Sequence, residues 1–179
     1  ANRSDTTAGD YVDNVYDYVR NSIDIDPVFG THKGPLGTII DRSGSAIDQA
    51  QLMVELLDEG GIPAQYQLGE ITLTTAQAGN WLGAAQYDGS VNPTVLGQFL
   101  GDSGIPAAIS GNSVTLLHVW VRATIGGTSY VFDPAYKQHT FRSTVSLAPA
   151  LGYDLGSFVG AAELGAIRST AANIPTIKN

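Results

Sequence analysis

Apolar residues recur at helical spacing from Tyr11 to Ile23, with Tyr11, Val12, Val15, Tyr18, Val19 and Ile23 on one side and Asp10 placed to cap the first turn. From Asp24 to Gly37 the pattern lapses. Pro27, Gly30, Gly34, Pro35 and Gly37 predict a long surface loop. Helical spacing returns near Ser45 or Ala46 and runs to about Glu59, with Ile47, Ala50, Met53, Val54 and Leu57 inward and Gly60-Gly61 as the stop; Ser45 followed by Asp48 resembles a capping box. Ala64 to Leu73 alternates like a strand interrupted at Gly69, and short helices are predicted at Thr75 to Leu82 and Pro93 to Leu100. Gly101 to Asn112 reads as a loop. Val114 to Thr124 and Ser129 to Phe132 read as strands joined through Ile125-Gly126-Gly127-Thr128, whose Gly pair suits a tight hairpin. Beyond Phe141 only Leu155 to Ile167 has helical character, and the tail from Ser169 reads as a linker. Helix, helix, then strands predicts an α+β domain whose antiparallel sheet packs against a central helix, over residues 1–142, with 143–179 an extension or linker.

Composition narrows the function classes. The chain has 179 residues, 43% of them apolar and 15% charged, which suits one globular domain large enough to enclose a site. A net charge of −8 with nine Lys plus Arg argues against nucleic acid, because phosphate binding needs clustered cations. There is no cysteine, hence no disulfide framework and no thiolate metal site, and His32, His118 and His139 have no zinc-ligand spacing, so neither metal nor cofactor is expected. No apolar run is long enough to span a bilayer, and the start Ala1-Asn2-Arg3 lacks a signal-peptide core, as expected of a mature or trimmed fragment.

His118 falls on the first hairpin strand and Asp133 at the end of the second. A nucleophile attacking an amide needs a base to take its proton and an acid to orient the resulting imidazolium. It is also favoured at a helix N-terminus, where unpaired N–H groups stabilise a thiolate and an oxyanion. Here the helix start is Gly44-Ser45-Ala46-Ile47-Asp48-Gln49-Ala50, which offers only a methyl group at residue 46. Ser45 is out of register for the nucleophile, and capping accounts for it.

The run Gly44 to Gly69, with Gly61-Ile62-Pro63-Ala64 after the helix, resembles the transglutaminase-like superfamily, whose members share a papain-like core and show G-x-C at the helix start. The family's second motif, H-x-W followed by Asp-Pro after a hairpin, is matched by His118, Trp120, Asp133 and Pro134. Lys33 to Thr38 and Trp81-Leu82-Gly83 resemble a bacterial branch found in large secreted proteins, so the likeness covers about Tyr11 to Phe141.

The resemblance implies a catalytic set with Ala46 at the nucleophile position and His118 and Asp133 as its partners, and with Trp120, Trp81 and Ser45 as binding residues. Gln65 stands where the family commonly has arginine. Two histories remain open. Ala46 is natural, giving an inactive module that holds a peptide or protein in its groove; or it replaces a cysteine, giving a disabled amide hydrolase or acyl transferase. A bacterial extracellular or cell-surface location is expected in either case. The substrate and oligomeric state are not specified by the sequence.

Overall fold

The computed structural model describes residues 7–86, 89–138, 151–164, 167–171 and 174–178. Two compact units divide the chain, residues 1–141 and 142–179.

In the first unit, α1 (Ala8–Ser22) buries Val12, Val15 and Val19. Thr7, not Asp10, is its N-cap: the Thr7 hydroxyl accepts from the Asp10 N–H, and Asp10, at the third helical position, answers with its carboxylate. A two-residue strand β1 (Asp24–Ile25) follows, and then α2 (Gly34–Asp41), where a loop is predicted. Pro35 sits in the first turn of α2, the one part of a helix where a missing N–H costs nothing. β2 (Ser43–Gly44) pairs in parallel with β1 and leads directly into α3 (Ala46–Glu59). Gly44 is pressed against Thr38 and Asp48, and a Cβ there would lie 2.9 Å from the Asp48 Cβ, so only glycine fits where the chain enters α3.

β3 (Ala64–Thr74) runs unbroken through Gly69. The glycine is needed because the Trp120 ring lies over it, 2.5 Å from where a Cβ would stand. α4 (Thr75–Leu82) and α5 (Pro93–Asp102) come next, and then β4 (Ala107–Ser110), a strand inside the stretch expected to be a loop. β5 (Ser113–Ile125) and β6 (Thr128–Phe132) form the predicted hairpin; Gly126 and Gly127 both have positive φ, at 57° and 83°, as a type I′ turn requires.

The antiparallel sheet has β5 at its centre. β3 pairs with it along its whole length on one side, whereas the other side is shared, β4 pairing with residues 113–116 and β6 with residues 121–125. Residues 117–120 lie between those two ladders. The core is divided in the same place. Val114 and Leu116 pack with α4 and α5, while Val119, Val121 and Ala123 pack with α1 and α3. Because strand side chains alternate between faces, the change from even to odd positions means that β5 is covered on opposite faces in its two halves. The fold is therefore α+β, with a central helix packed on an antiparallel sheet.

In the second unit, α6 (Leu155–Leu164) starts at Asp154, whose carboxylate accepts the Ser157 N–H at 2.7 Å. The tail read as a linker from Ser169 forms a hairpin of β7 (Ile167–Ala171) and β8 (Ile174–Lys178). Each strand supplies the other's partner, Ile167 standing opposite Lys178 and Ala171 opposite Ile174, which a reading of each segment alone does not reveal.

Candidate functional site

His118 sits where the cover of β5 changes faces, and it is buried, at 2% exposure. Its Nε2 lies 2.8 Å from Asp133 Oδ2, and Asp133 Oδ1 accepts the Tyr136 N–H at 3.0 Å. The carboxylate is thus held at both oxygens, one on the ring and one on the turn that follows β6. Trp81, from the end of α4, meets the imidazole edge to face with centroids 5.0 Å apart and donates its indole N–H to the Ala135 carbonyl at 2.7 Å. One aromatic side chain therefore braces both the ring and the segment that carries its carboxylate.

Ala46 is the first residue of α3, and it shares a small recess with His118 and Trp81. The remaining walls are mostly apolar, among them Ile25, Val28, Leu82 and Leu116, and the recess holds about 20 Å³, room for about one water. At a helix start the first N–H groups have no intrahelical acceptor. The Asp48 N–H is taken by Ser45 Oγ at 3.1 Å.

The geometry of α3 depends on residues whose reach is not visible in the sequence. Asp48 is buried and accepts from the backbone N–H groups of His32, Lys33, Gly34 and Ser45 at 3.0 to 3.1 Å. Burial alone would raise its pKa; the four N–H donors outweigh that and hold it below the usual carboxylate value. This single carboxylate closes the capping box of α3 and also caps α2. Gln49 is likewise buried, its amide donating to the carbonyls of Asp24 at 3.0 Å and Gly44 at 2.9 Å, while its oxygen accepts from Lys137 Nζ at 3.0 Å. Lys137 also donates to the Ile23 carbonyl. Burial lowers its amine to about 8, with Asp24 acting against the shift and Arg20 adding to it. On the adjoining loop Lys33 pairs with Asp26 at 2.8 Å and Asp41 at 3.1 Å, which raise its pKa.

Of the residues singled out from sequence, Ala46, His118, Asp133 and Trp81 come together. Trp120 and Ser45 do not line the recess. Trp120 lies over Gly69 and donates to Gln67 Oε1 at 3.3 Å. Ser45 is buried as the cap of α3, its hydroxyl donating to the Gly30 carbonyl at 2.6 Å. His32 Nε2 lies 3.0 Å from the Phe29 carbonyl, and His139 falls outside the described residues. The sequence reading missed Asp48 as a second cap and Lys137 as a tie. The Ser45–Asp48 spacing signalled only the local half of the first role, and nothing local signals the second.

A helix whose start faces a strand histidine, with that histidine backed by a carboxylate beyond a hairpin, defines a papain-like α+β core. The family model of the transglutaminase-like superfamily matches residues 1–134, and the chain belongs to that superfamily. No curated protein and no solved structure matches it. Among the described residues no helix is long and apolar enough to cross a membrane.

Proposed function

We propose that this domain is an inactive relative of the cysteine acyl-transfer enzymes that binds an extended peptide or protein segment without processing it, with Ala46 at the nucleophile position. The reading rests on one observation: the recess at the start of α3 brings Ala46 to a histidine already held by Asp133, with only a methyl group at residue 46 to face it. With Nε2 committed to Asp133, Nδ1 is the ring atom left to meet a ligand. The acidic surface and the likeness to large secreted proteins support a place outside a bacterial cell, as a module of residues 1–142 followed by an extension.

A second reading draws on the size of the recess. The recess leaves room for about one water beside the Ala46 methyl group and His118, and in this reading that space belonged to a thiol that was lost or replaced. With a thiol at residue 46, His118 would take its proton. The thiolate would add to a Gln or backbone amide, with the oxyanion resting on the first-turn N–H groups. His118 would then return the proton to the departing ammonia or amine, leaving a thioester for water or a lysine.

Ala46→Cys separates the two. Under the binding reading the variant folds, the unaltered chain retains peptides from a hexapeptide array, His118→Phe loses them, and the new thiol forms no thioester with amide or ester probes. Formation of a His118-dependent thioester, seen by intact mass, would move the conclusion to the disabled enzyme.

A further inference from the structure

The two edges of the sheet are not equally protected. On one side of β5 the edge is divided between β4, four residues long and entered beside Pro106, and β6, five residues long. On the other side β3 runs for 11 residues, about twice an ordinary strand, and among the described residues it pairs with β5 alone. Its register with β5 advances one residue at a time from Ala64 to Thr74, so no bulge turns it aside, and it contains no proline, lysine or arginine. Those are the devices that keep an exposed strand from pairing with another chain; β3 carries one charge, Glu70, in their place. Its even positions, Tyr66, Leu68, Glu70, Thr72 and Thr74, share one face and are all exposed, with Tyr66 and Leu68 each about half open. The helices that roof β5 leave this edge uncovered.

We propose that β3 is the interface of a twofold dimer, in which the β3 edges of two copies of this chain pair antiparallel with Leu68 at the axis and join the two sheets into one. A twofold axis perpendicular to the sheet keeps like faces together, so one residue must stand opposite its own copy. Placing Glu70 there opposes like charges. Placing Gln67 there aligns only Ala64–Glu70 of each copy. With Gly69 at the axis all of β3 aligns, but Glu70 stands against Leu68 and the two glutamates come diagonally within about 8 Å. With Leu68 at the axis, Ala64–Thr72 of each copy align and the two leucines cover each other. Tyr66 then faces Glu70 of the other copy, so each phenol can donate to a carboxylate, and the glutamates stay about 13 Å apart along the strands. Leu68 is thus the register in which the exposed leucine is covered and the one charge of the strand gains a donor. The interface is independent of what occupies the recess at Ala46.

Because the chain has no cysteine, a single introduced one reports the position of the axis. Leu68→Cys, treated with a mild oxidant, is expected to run as a covalent dimer on a non-reducing gel, since facing Cβ atoms across an antiparallel pair come within disulfide reach. Tyr66→Cys and Glu70→Cys should each stay monomeric alone and cross-link to one another when mixed. Light scattering of the unaltered chain over roughly 5–500 µM should show the mass rising from the monomer value towards twice it, as expected of a small interface of micromolar strength. Leu68→Lys sets two ammonium groups at the axis and should hold the mass at the monomer value; the side chain is half-exposed, and a melting curve checks that the variant folds. A chain that stays monomeric throughout that range, or a dimer unchanged in Leu68→Lys, overturns the proposal, and cross-linking of Tyr66→Cys or Glu70→Cys alone in preference to Leu68→Cys overturns its register. Retention of extended peptides by a chain that never dimerises, lost in Leu68→Lys, would give the edge to a strand of another protein instead of a second copy.

Discussion

The two halves of β5 are built from the same strand and differ only in which side their helices take. The first half is roofed by α4 and α5, and Trp81 reaches from that roof to the imidazole; the second is roofed by α1 and α3, and α3 contributes Ala46. Neither half makes the recess alone. A flat sheet with all its helices on one face would bury His118 under continuous cover, whereas a crossover of cover leaves a seam at residues 117–120, between the β4 and β6 ladders, where a buried side chain can meet a ligand. The functional position follows from where the two cores exchange sides.

If β5 couples the halves into one cooperative unit, truncation in either core should lower the same unfolding transition. Met53→Ala, under α3, and Leu96→Ala, under α5, each remove a fully buried side chain and are expected to cost about 2–5 kcal/mol. Two separable transitions in chemical denaturation would break the comparison. A smaller effect sharpens the α3 side: Asp48→Ala strands four backbone donors and should cost about 1–3 kcal/mol. Since folding lowers the pKa of Asp48, its contribution is complete above the ordinary carboxylate range and is lost as pH falls through the lowered value. Asp48→Asn should therefore flatten the acid limb of stability, and an unchanged limb would contradict the assignment. The smallest effect concerns the tie that joins the Asp133 segment to α3. Lys137 holds its proton less tightly folded than unfolded, so stability should climb between about pH 8 and the ordinary lysine value. The slope should be a fraction of the ~1.4 kcal/mol per pH unit of one full proton, because water still reaches the amine. It should vanish in Lys137→Met when melting is followed across that window.

Local signals made part of this fold legible. α3 was readable because its cap, period and Gly stop lie within its own segment, and the β5–β6 hairpin because two glycines at its tip admit only a tight turn. The His118–Asp133 pair was readable for the same reason, since a hairpin brings a residue before the turn near one after it. α2 was not, because Gly34, Pro35 and Gly37 speak against a helix and its cap arrives from Asp48, fourteen residues later. β4 was missed because Ala107 to Ser110 becomes a strand only when β5 supplies its partner, and the supposed break at Gly69 reflects a tryptophan from another strand.

The shared carboxylate of Asp48 has a consequence for motion. Helices normally fray from their ends independently, but here the starts of α2 and α3 hang from one anion, so neither can loosen without releasing the other. Opening the loop before α2, which contributes Val28 and Phe29 to the recess, would then unwind the first turn that presents residue 46. The wall of the recess and its floor should exchange their amide protons as one unit.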